Sequence, residues 1–447
     1  MATAVKIGMV GAGSATFAAT VVRDLCVTPG LYGSHVALMD VDERRLSNVL
    51  ALARRLAAEL RADLTFSATT DRAQALAGAD FVIDSAQAGG HAWVEAQRSL
   101  AERHGYYRGA RLELFTQMEL LLDVAHSVER ICPHAWLVQI SNPVFEGCTL
   151  MTRATSVKVL GLCHGHYGYR AVARRLGLEL ADVRAQMPGF NHWIWLTEFR
   201  YRGQDAYPLL DDWIATQAEA FWAQDAGHFH EVDLSRAAVH QYHHYGLLPI
   251  GDTPRFAGWW YHTDLATKQR WYGRRWGGFD SELGWSEYLR EVSAEAERVE
   301  QAAADTARPV TETFPPRQSD EQIVPIIDSL VNDRQALYQV NIPNTGPLIQ
   351  GFPEDLVVEV QGVVDATGIH GAAVPPLPRK LLVEAMIPRW HAAELAVEAM
   401  RSGDRDLLLA FLLNDRRTRS LEQAEGLLAE WLSDPRNASL AAHFGAT

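Results

Sequence analysis

A chain of 447 residues, 48% apolar and 21% charged, has the balance of a globular protein built as one large or two packed domains. No apolar run reaches the roughly 18 residues of a membrane span, and a formal charge of −14 argues against nucleic acid or an anionic membrane as partner. Four cysteines (Cys26, Cys132, Cys148, Cys163) are too few for a disulfide framework, and the N-terminus lacks a signal-peptide layout, so a reducing cytoplasm is the expected location.

The first 165 residues repeat one rhythm. Short apolar runs, "VKIGMV" (5–10), "HVALMD" (35–40), "DFVIDSA" (80–86), "AWLVQIS" (135–141) and "VKVLGLC" (157–163), predict strands. Amphipathic stretches between them, such as 44–62 and 117–132, predict helices. Repeated strand–helix units predict a parallel sheet with right-handed crossovers, whose ligands sit at the carboxyl ends of the strands. Here every strand tip carries chemistry: a glycine turn, Asp40, "AGG", "SNP" and "CHGH". After residue 170 the rhythm changes. Residues 193–204 predict a strand and turn, 308–320 a Pro-rich surface loop and 357–365 another strand, and the last 65 residues predict helices. Thirteen tryptophans, mostly within 193–285, point first to core or interface packing and second to a sugar-stacking surface.

"GMVGAGSATF" follows the first strand and opens a helix. Gly11 and Gly13 stand where a dinucleotide fold needs a tight turn and close approach to a pyrophosphate, although Thr16 takes the third glycine position. Asp40 ends the second strand, placed to accept from a ribose hydroxyl, which favours NAD over NADP. In "GLCHGHYG" and "GFNHW", Cys163 and His192 lie 29 residues apart, each in a loop beside a strand. One thiol and one imidazole make a poor closed zinc centre but a plausible open site for Mn²⁺ or a similar ion. The plain alternative is a buried cysteine packed as a small hydrophobe. "YHHYGLLPIGDTPR" offers Tyr245, Asp252 and Arg255 around a glycine turn, an ordinary ion pair or an acid–base group.

These segments, with "HGYYRG", "SNPVFEG" and "VNIPNTG", resemble glycoside hydrolase family four over nearly the whole chain. The resemblance implies a fold of N-terminal Rossmann-type parallel sheet (1–190) and C-terminal α+β domain of the lactate/malate dehydrogenase-like kind (191–447). It implies bound NAD, held by Gly11, Gly13, Ser14, Ala15, Phe17 and Asp40, and a divalent metal such as Mn²⁺ held by Cys163 and His192. Asn142 and Arg255 would bind the substrate, and Asp252 or Tyr245 would act as base. The implied reaction is hydrolysis of unphosphorylated α-glycosides through oxidation at sugar C3, proton loss at C2, elimination at C1 and water addition, in a homodimer or homotetramer. Glucoside, galactoside and uronide all stay open. So does a sugar or hydroxy-acid dehydrogenase with net redox turnover on the same fold. One departure stands out: only 13 residues, 110–122, separate "HGYYRG" from "DVAHSVERI", where the resembled α-glycosidases carry a longer segment bearing an active-site acid. Glu113 and Glu119 are the carboxylates left there, and their surroundings have helical periodicity.

Overall fold

The computed structural model describes residues 2–224, 229–230 and 232–445. The first half forms β1 (Lys6–Val10), β2 (His35–Met39), β3 (Thr65–Thr69), β4 (Phe81–Asp84), β5 (Trp136–Gln139) and β6 (Lys158–Gly161). They lie parallel in the order β3-β2-β1-β4-β5-β6. This is the doubly wound Rossmann order, with its crevice where the strand order reverses between β1 and β4. Both faces are covered, so the inner strands read as unbroken apolar runs. Edge strand β3 does not: "TFSAT" buries only Phe66, and the apolar pattern misses it. Helix Glu43–Leu60 starts on Asp42, whose carboxylate accepts from the Arg45 amide at 3.0 Å, and buries Leu46, Val49, Leu52, Ala53 and Leu56 on one stripe.

The second half adds β7 (Val183–Gln186), β8 (Gly189–Phe190), β9 (Trp193–Leu196), β10 (Glu198–Tyr201), β11 (Gln204–Asp205), β12 (Leu248–Ile250), β13 (Ala336–Pro343), β14 (Val357–Asp365) and β15 (Gly368–Gly371). β7, β10 and β11 form a small antiparallel sheet. The others extend the main sheet antiparallel beyond β6, in the order β13-β14-β8-β9-β12, with β15 against β14. A parallel Rossmann half therefore runs directly into an antiparallel α+β half. Among the described residues no helix is long and apolar enough to cross a membrane.

The predicted surface loop 308–320 is instead pinned down. Val310 and Phe314 are buried, Glu59 accepts from the amides of Val310 and Thr311 at 2.8 and 3.0 Å, and Asp24 accepts from the Ser319 amide at 2.9 Å. Two apolar residues four apart gain more against helix Glu43–Leu60 than the prolines lose. The tryptophans divide: Trp195, Trp213 and Trp285 are buried, whereas Trp259 and Trp260 are exposed. The C-terminal helices Arg405–Leu413, Leu421–Ser433 and Ala438–Gly445 fold back on the first half. Phe411, Trp431 and Phe444 meet Phe115 edge-on at 5.2–6.2 Å between ring centroids, and Trp431 Nε1 donates to Gln97 Oε1 at 2.8 Å.

A buried ion pair ties another C-terminal helix to the sheet. Glu146, in helix Val144–Ala154 just past the strand tip, accepts two bonds from Arg389 at 2.6 and 3.0 Å and one from Arg111 at 2.9 Å. Burial raises the Glu146 pKa, but the Arg389 and Arg111 charges overcome it and carry it from 4.5 down to about 2. Replacing one partner strands the others out of water, so Glu146→Gln should cost about 3–5 kcal/mol in urea unfolding at neutral pH. The folded pKa lies below the unfolded one. The advantage of the native chain over the variant is thus complete above the unfolded value and shrinks as pH falls towards about 2.

Candidate active site

The glycine turn after β1 is built by close contacts. Gly11 has φ +80°, and a Cβ there would sit 2.5 Å from the Ala86 amide nitrogen at the tip of β4. The Gly13 amide donates to Asp40 Oδ2 at 2.7 Å, and Asp40 Oδ1 accepts from the Asp42 amide at 2.9 Å. The turn and the acid at the end of β2 therefore form one unit. Ser14 precedes helix Ala15–Cys26 but its side chain caps nothing, and no acid stands in the first turn. The leading amides of a twelve-residue helix are left for an anion, which fits a pyrophosphate. Phe17 packs half-buried against the core beneath.

Three loops converge past β6. The first carries Cys163. The second is the two-residue turn Asn191–His192 joining β8 to β9, with His192 at φ +59°, a left-handed conformation costly for a side-chain-bearing residue. The third is Gly251–Asp252 after β12, leading into helix Thr253–Phe256. Thr253 Oγ1 donates to the Ile194 carbonyl at 3.0 Å and accepts from its amide at 2.8 Å, which fixes the third loop to β9. The first and third loops touch backbone to backbone: Gly251 has φ +63°, and a Cβ there would fall 2.4 Å from the Gly165 carbonyl oxygen.

The result is a tight polar cluster. His192 Nε2 lies 3.4 Å from Cys163 Sγ and 3.1 Å from Asp252 Oδ2, and the His192 ring stacks on Phe256 at 5.4 Å. Asp252 Oδ1 pairs with Arg255 Nη2, and Arg255 Nη1 stands 3.6 Å from Asp280 Oδ2. Burial pushes the Cys163 thiol up to about 12, helped by the charges of Glu359 and Asp252. Burial also lowers His192, which keeps it a neutral imidazole. Burial raises the Asp252 pKa, but the Arg255 charge outweighs it and holds the carboxyl well below the usual range. Among the described residues no three of His, Cys, Asp and Glu gather as a closed metal centre. The convergent pair of thiol and neutral imidazole fits an ion that keeps open positions for substrate and water.

The expected residues do not all gather. Cys163, His192, Asp252 and Arg255 come together. Asn142 is exposed at the tip of β5, beside Ser141, whose hydroxyl donates to the Ala86 carbonyl at 2.7 Å. Tyr245 stands outside the cluster: it is buried in the core, edge-on to Trp195 at 5.1 Å and to His244 at 4.7 Å. A tyrosine at the end of helix Arg236–Tyr245 gains more from packing on Trp195 than from facing the loops. Nor do the other loop histidines point inward: His166 Nδ1 bonds the Cys163 carbonyl at 3.0 Å, and His164 pairs with Glu321 at 3.4 Å.

Other residues of the site carry weaker sequence signals. Asn191 donates to buried Glu359 at 3.0 Å, and Gln339 does so at 3.3 Å. Glu359 is a carboxylate set among the valines of β14, and that break in pattern was its signal. Asp280, in "GGFDSE", carried none.

Gly251→Ala should combine the strain of a positive φ with the clash on Gly165. A loss of about 1–3 kcal/mol in thermal unfolding is expected, with a weakening of Mn²⁺ binding on the order of 10–100-fold. Gly78→Ala is the control, since Gly78 also has positive φ but nothing within 4 Å of its would-be Cβ.

Known proteins share the sequence pattern and the fold. The sequence profile described as "Family 4 glycosyl hydrolase" matches residues 6–179, and that of "Family 4 glycosyl hydrolase C-terminal domain" matches residues 187–418. An α-galactosidase of Bacillus subtilis (strain 168) is 26% identical over 84% of this chain and 85% of its own. An α-glucosidase of Erwinia rhapontici is 27% identical over 92% and 94%. Among solved structures, a 6-phospho-α-glucosidase from gut microorganisms in complex with NAD and Mn²⁺ superposes with a TM-score of 0.74 at 18% identity, covering 96% of this chain and 98% of that one. Lactate dehydrogenase from Eimeria maxima superposes at 0.52 and 14%, over 90% and 97%, and so shares the fold. With its first half matched by the one profile and most of its second half by the other, the chain belongs to the family 4 glycosyl hydrolases.

Proposed function

We propose that this chain hydrolyses unphosphorylated α-glycosides, with residues 1–190 holding NAD and residues 191–447 presenting the sugar and the metal ligand His192. The observation that carries the reading is the convergence of Cys163 Sγ, His192 Nε2 and the Asp252 carboxylate at the strand tips of the sheet that bears the uncapped dinucleotide turn. When bound, NAD supplies a hydride acceptor and donor at sugar C3, and Mn²⁺ supplies charge that stabilises an anion at C2.

The chain's own residues do the rest. Gly11, Gly13, Ser14 and Ala15 offer backbone donors to the pyrophosphate, Phe17 backs the helix, and Asp40 accepts from a ribose hydroxyl. Cys163 and His192 hold the metal, and the strained His192 backbone aims its Nε2. Asp252, kept ionised by Arg255 against its burial, accepts the C2 proton. Tyr245, packed on Trp195, is the weaker candidate for that step. Arg255 holds the sugar beside Asp252, and Asn142 closes on it from the tip of β5.

The expected result in turnover with catalytic NAD⁺, Mn²⁺ and a thiol reductant is release of aglycone without stoichiometric NADH. NADH rising with turnover supports the dehydrogenase alternative instead. In heavy water the product should carry deuterium at C2, and Asp252→Asn should suppress that label; an unlabelled product rules the C2 step out. Cys163→Ser and His192→Ala should each lose most bound Mn²⁺ while keeping the fold, as read by metal analysis and circular dichroism.

The leaving group offers a further check. Glu113 and Glu119 both lie on helix Glu113–Ile131 and are half-exposed, and neither joins the cluster. Without a positioned acid, a basic leaving oxygen departs slowly, because general acid assistance is worth about 10²–10⁴-fold. Nitrophenyl α-glycosides should therefore be cleaved at least a hundredfold faster than matching disaccharides, by about the middle of that range. Equal rates mean that an acid is present.

A further inference from the structure

Asp84 ends β4 and Gln139 ends β5, and the sheet sets them side by side in register. Both are 0% exposed. Neither belongs to the cluster around Cys163, and the reaction above uses neither. Together they anchor the two strand tips. Asp84 Oδ1 accepts from the Ala86 amide at 3.1 Å. The Ala86 carbonyl accepts from the Ser141 hydroxyl at 2.7 Å. The Ser141 carbonyl accepts from Gln139 Nε2 at 2.9 Å. A run of hydrogen bonds thus starts on one oxygen of Asp84 and comes back to the side chain of its neighbour Gln139.

One link is missing from this ring. Asp84 Oδ2 and Gln139 Oε1 are buried, and among the described residues neither has a donor. A carboxylate and an amide carbonyl are both acceptors, so in their ionised and neutral forms they leave each other unsatisfied. Turning the Gln139 amide over does not help, since its oxygen would then face the Ser141 carbonyl. A single hydrogen on Asp84 Oδ2 makes it a donor and closes the ring.

The surroundings favour that hydrogen. Burial raises the Asp84 pKa from 3.8 to about 7, although the Ala86 amide and the Arg72 charge lower it. Arg72, on helix Arg72–Leu76, is already paired at 2.5 Å with Asp123 of helix Glu113–Ile131. Gln117, on the same helix as Asp123, has its amide committed to Ala88 and Ala86. Cys148, on helix Val144–Ala154, is a thiol that burial keeps protonated. On the other side β1 presents Val10. Among the described residues no cation pairs with Asp84.

We infer that Asp84 is a neutral carboxylic acid that donates its proton to Gln139, and that it acts as a positioning residue locking the β4 and β5 tips together. The ring holds both sides of the site. Ala86 is the residue against which Gly11 of the dinucleotide turn rests. The Ser85 hydroxyl shares its hydrogen between the carbonyls of Val10 and Gly11, both at 3.1 Å. Asn142 follows Ser141 directly. One hydrogen therefore couples the cofactor turn to the loop that bears Asn142, and its loss leaves an unpaired buried charge beneath both.

Asp84→Asn keeps a donor towards Gln139 and removes the titration. Three measurements on the full chain compare it with the native protein, and none needs turnover. In infrared spectra the native chain should show a carboxylic-acid carbonyl band that Asp84→Asn lacks, fading as pH rises through about 7. The folded pKa lies above the unfolded one, so Asp84 costs the native chain stability progressively from 3.8 up to about 7. The two melting temperatures should therefore differ least near about pH 4, with Asp84→Asn ahead by on the order of 5 °C at about pH 8. Calorimetric NAD⁺ affinity should fall about tenfold between about pH 6 and about pH 9 in the native chain and stay level in Asp84→Asn. Spectra with no band lost in the variant overturn the inference, and a water bridging an ionised Asp84 to Gln139 is then the missing donor. A melting difference that does not change with pH also overturns it. Affinity falling equally in both proteins overturns the positioning role. If Asp84→Asn fails to fold, Gln139→Met takes its place: the acid keeps its proton without an acceptor, so its band should move to higher frequency, and an unmoved band overturns the ring. Each of these outcomes leaves the glycosidase reading as it stands.

Discussion

Around the site, strand meets strand and loop meets loop backbone to backbone, and the site depends on those contacts. β6 pairs with β13 through Gly161 and Asn341, where a Cβ on Gly161 would lie 2.6 Å from Val144 Cγ1 and 2.8 Å from Asn341 Cβ. β14 pairs with β8 through Glu359 and Gly189, where a Cβ would lie 2.1 Å from the Trp193 carbonyl oxygen. Gly165 and Gly251 close the third contact. Cys163, His192 and Asp252 follow these glycines by one to three residues. Their spacing is therefore fixed by main chain, which varies far less than side-chain rotamers do.

The same closeness sets the charge states. Within a few side chains, burial drives Cys163 up to about 12 and Glu359 up to about 7, while Arg255 holds Asp252 ionised. Glu359 is less a ligand than a brace: through Asn191 it grips the turn that presents His192. A thiol this desolvated stays protonated unless a cation makes deprotonation favourable, so any metal taken by Cys163 would have to displace its proton. A dry, crowded setting also strengthens every electrostatic contact made to a bound sugar.

Much of this was legible because its signals are local. A glycine turn after an apolar run, an acid at the next strand end, and Cys and His at strand tips each declare themselves within a few residues. Cys163, His192, Asp252 and Arg255 were named together because the resemblance joined segments that spacing alone could not, and the fold does bring them side by side. Pattern failed where the deciding partner is distant in sequence. β3 is a polar edge strand. Residues 308–320 are held by Glu59 and Asp24, far upstream. Tyr245 turns to Trp195, and nothing in "HHYG" announces that choice. Asp280 lies on a different segment from the Arg255 it faces, and their shared environment exists only after folding.

The return of the C-terminal helices over Phe115 and Gln97 bears on how the molecule is made. Residues near 100–118 form a hydrophobic cluster with residues 396–444, and the Gln97–Trp431 bond spans 334 positions. During synthesis the nascent first half must keep Tyr106, Phe115 and Met118 uncovered until the last helices leave the ribosome. The dinucleotide half is thus the first to be translated but cannot be the first to finish its core, and a chain stalled a few dozen residues early presents an adhesive surface rather than a finished domain.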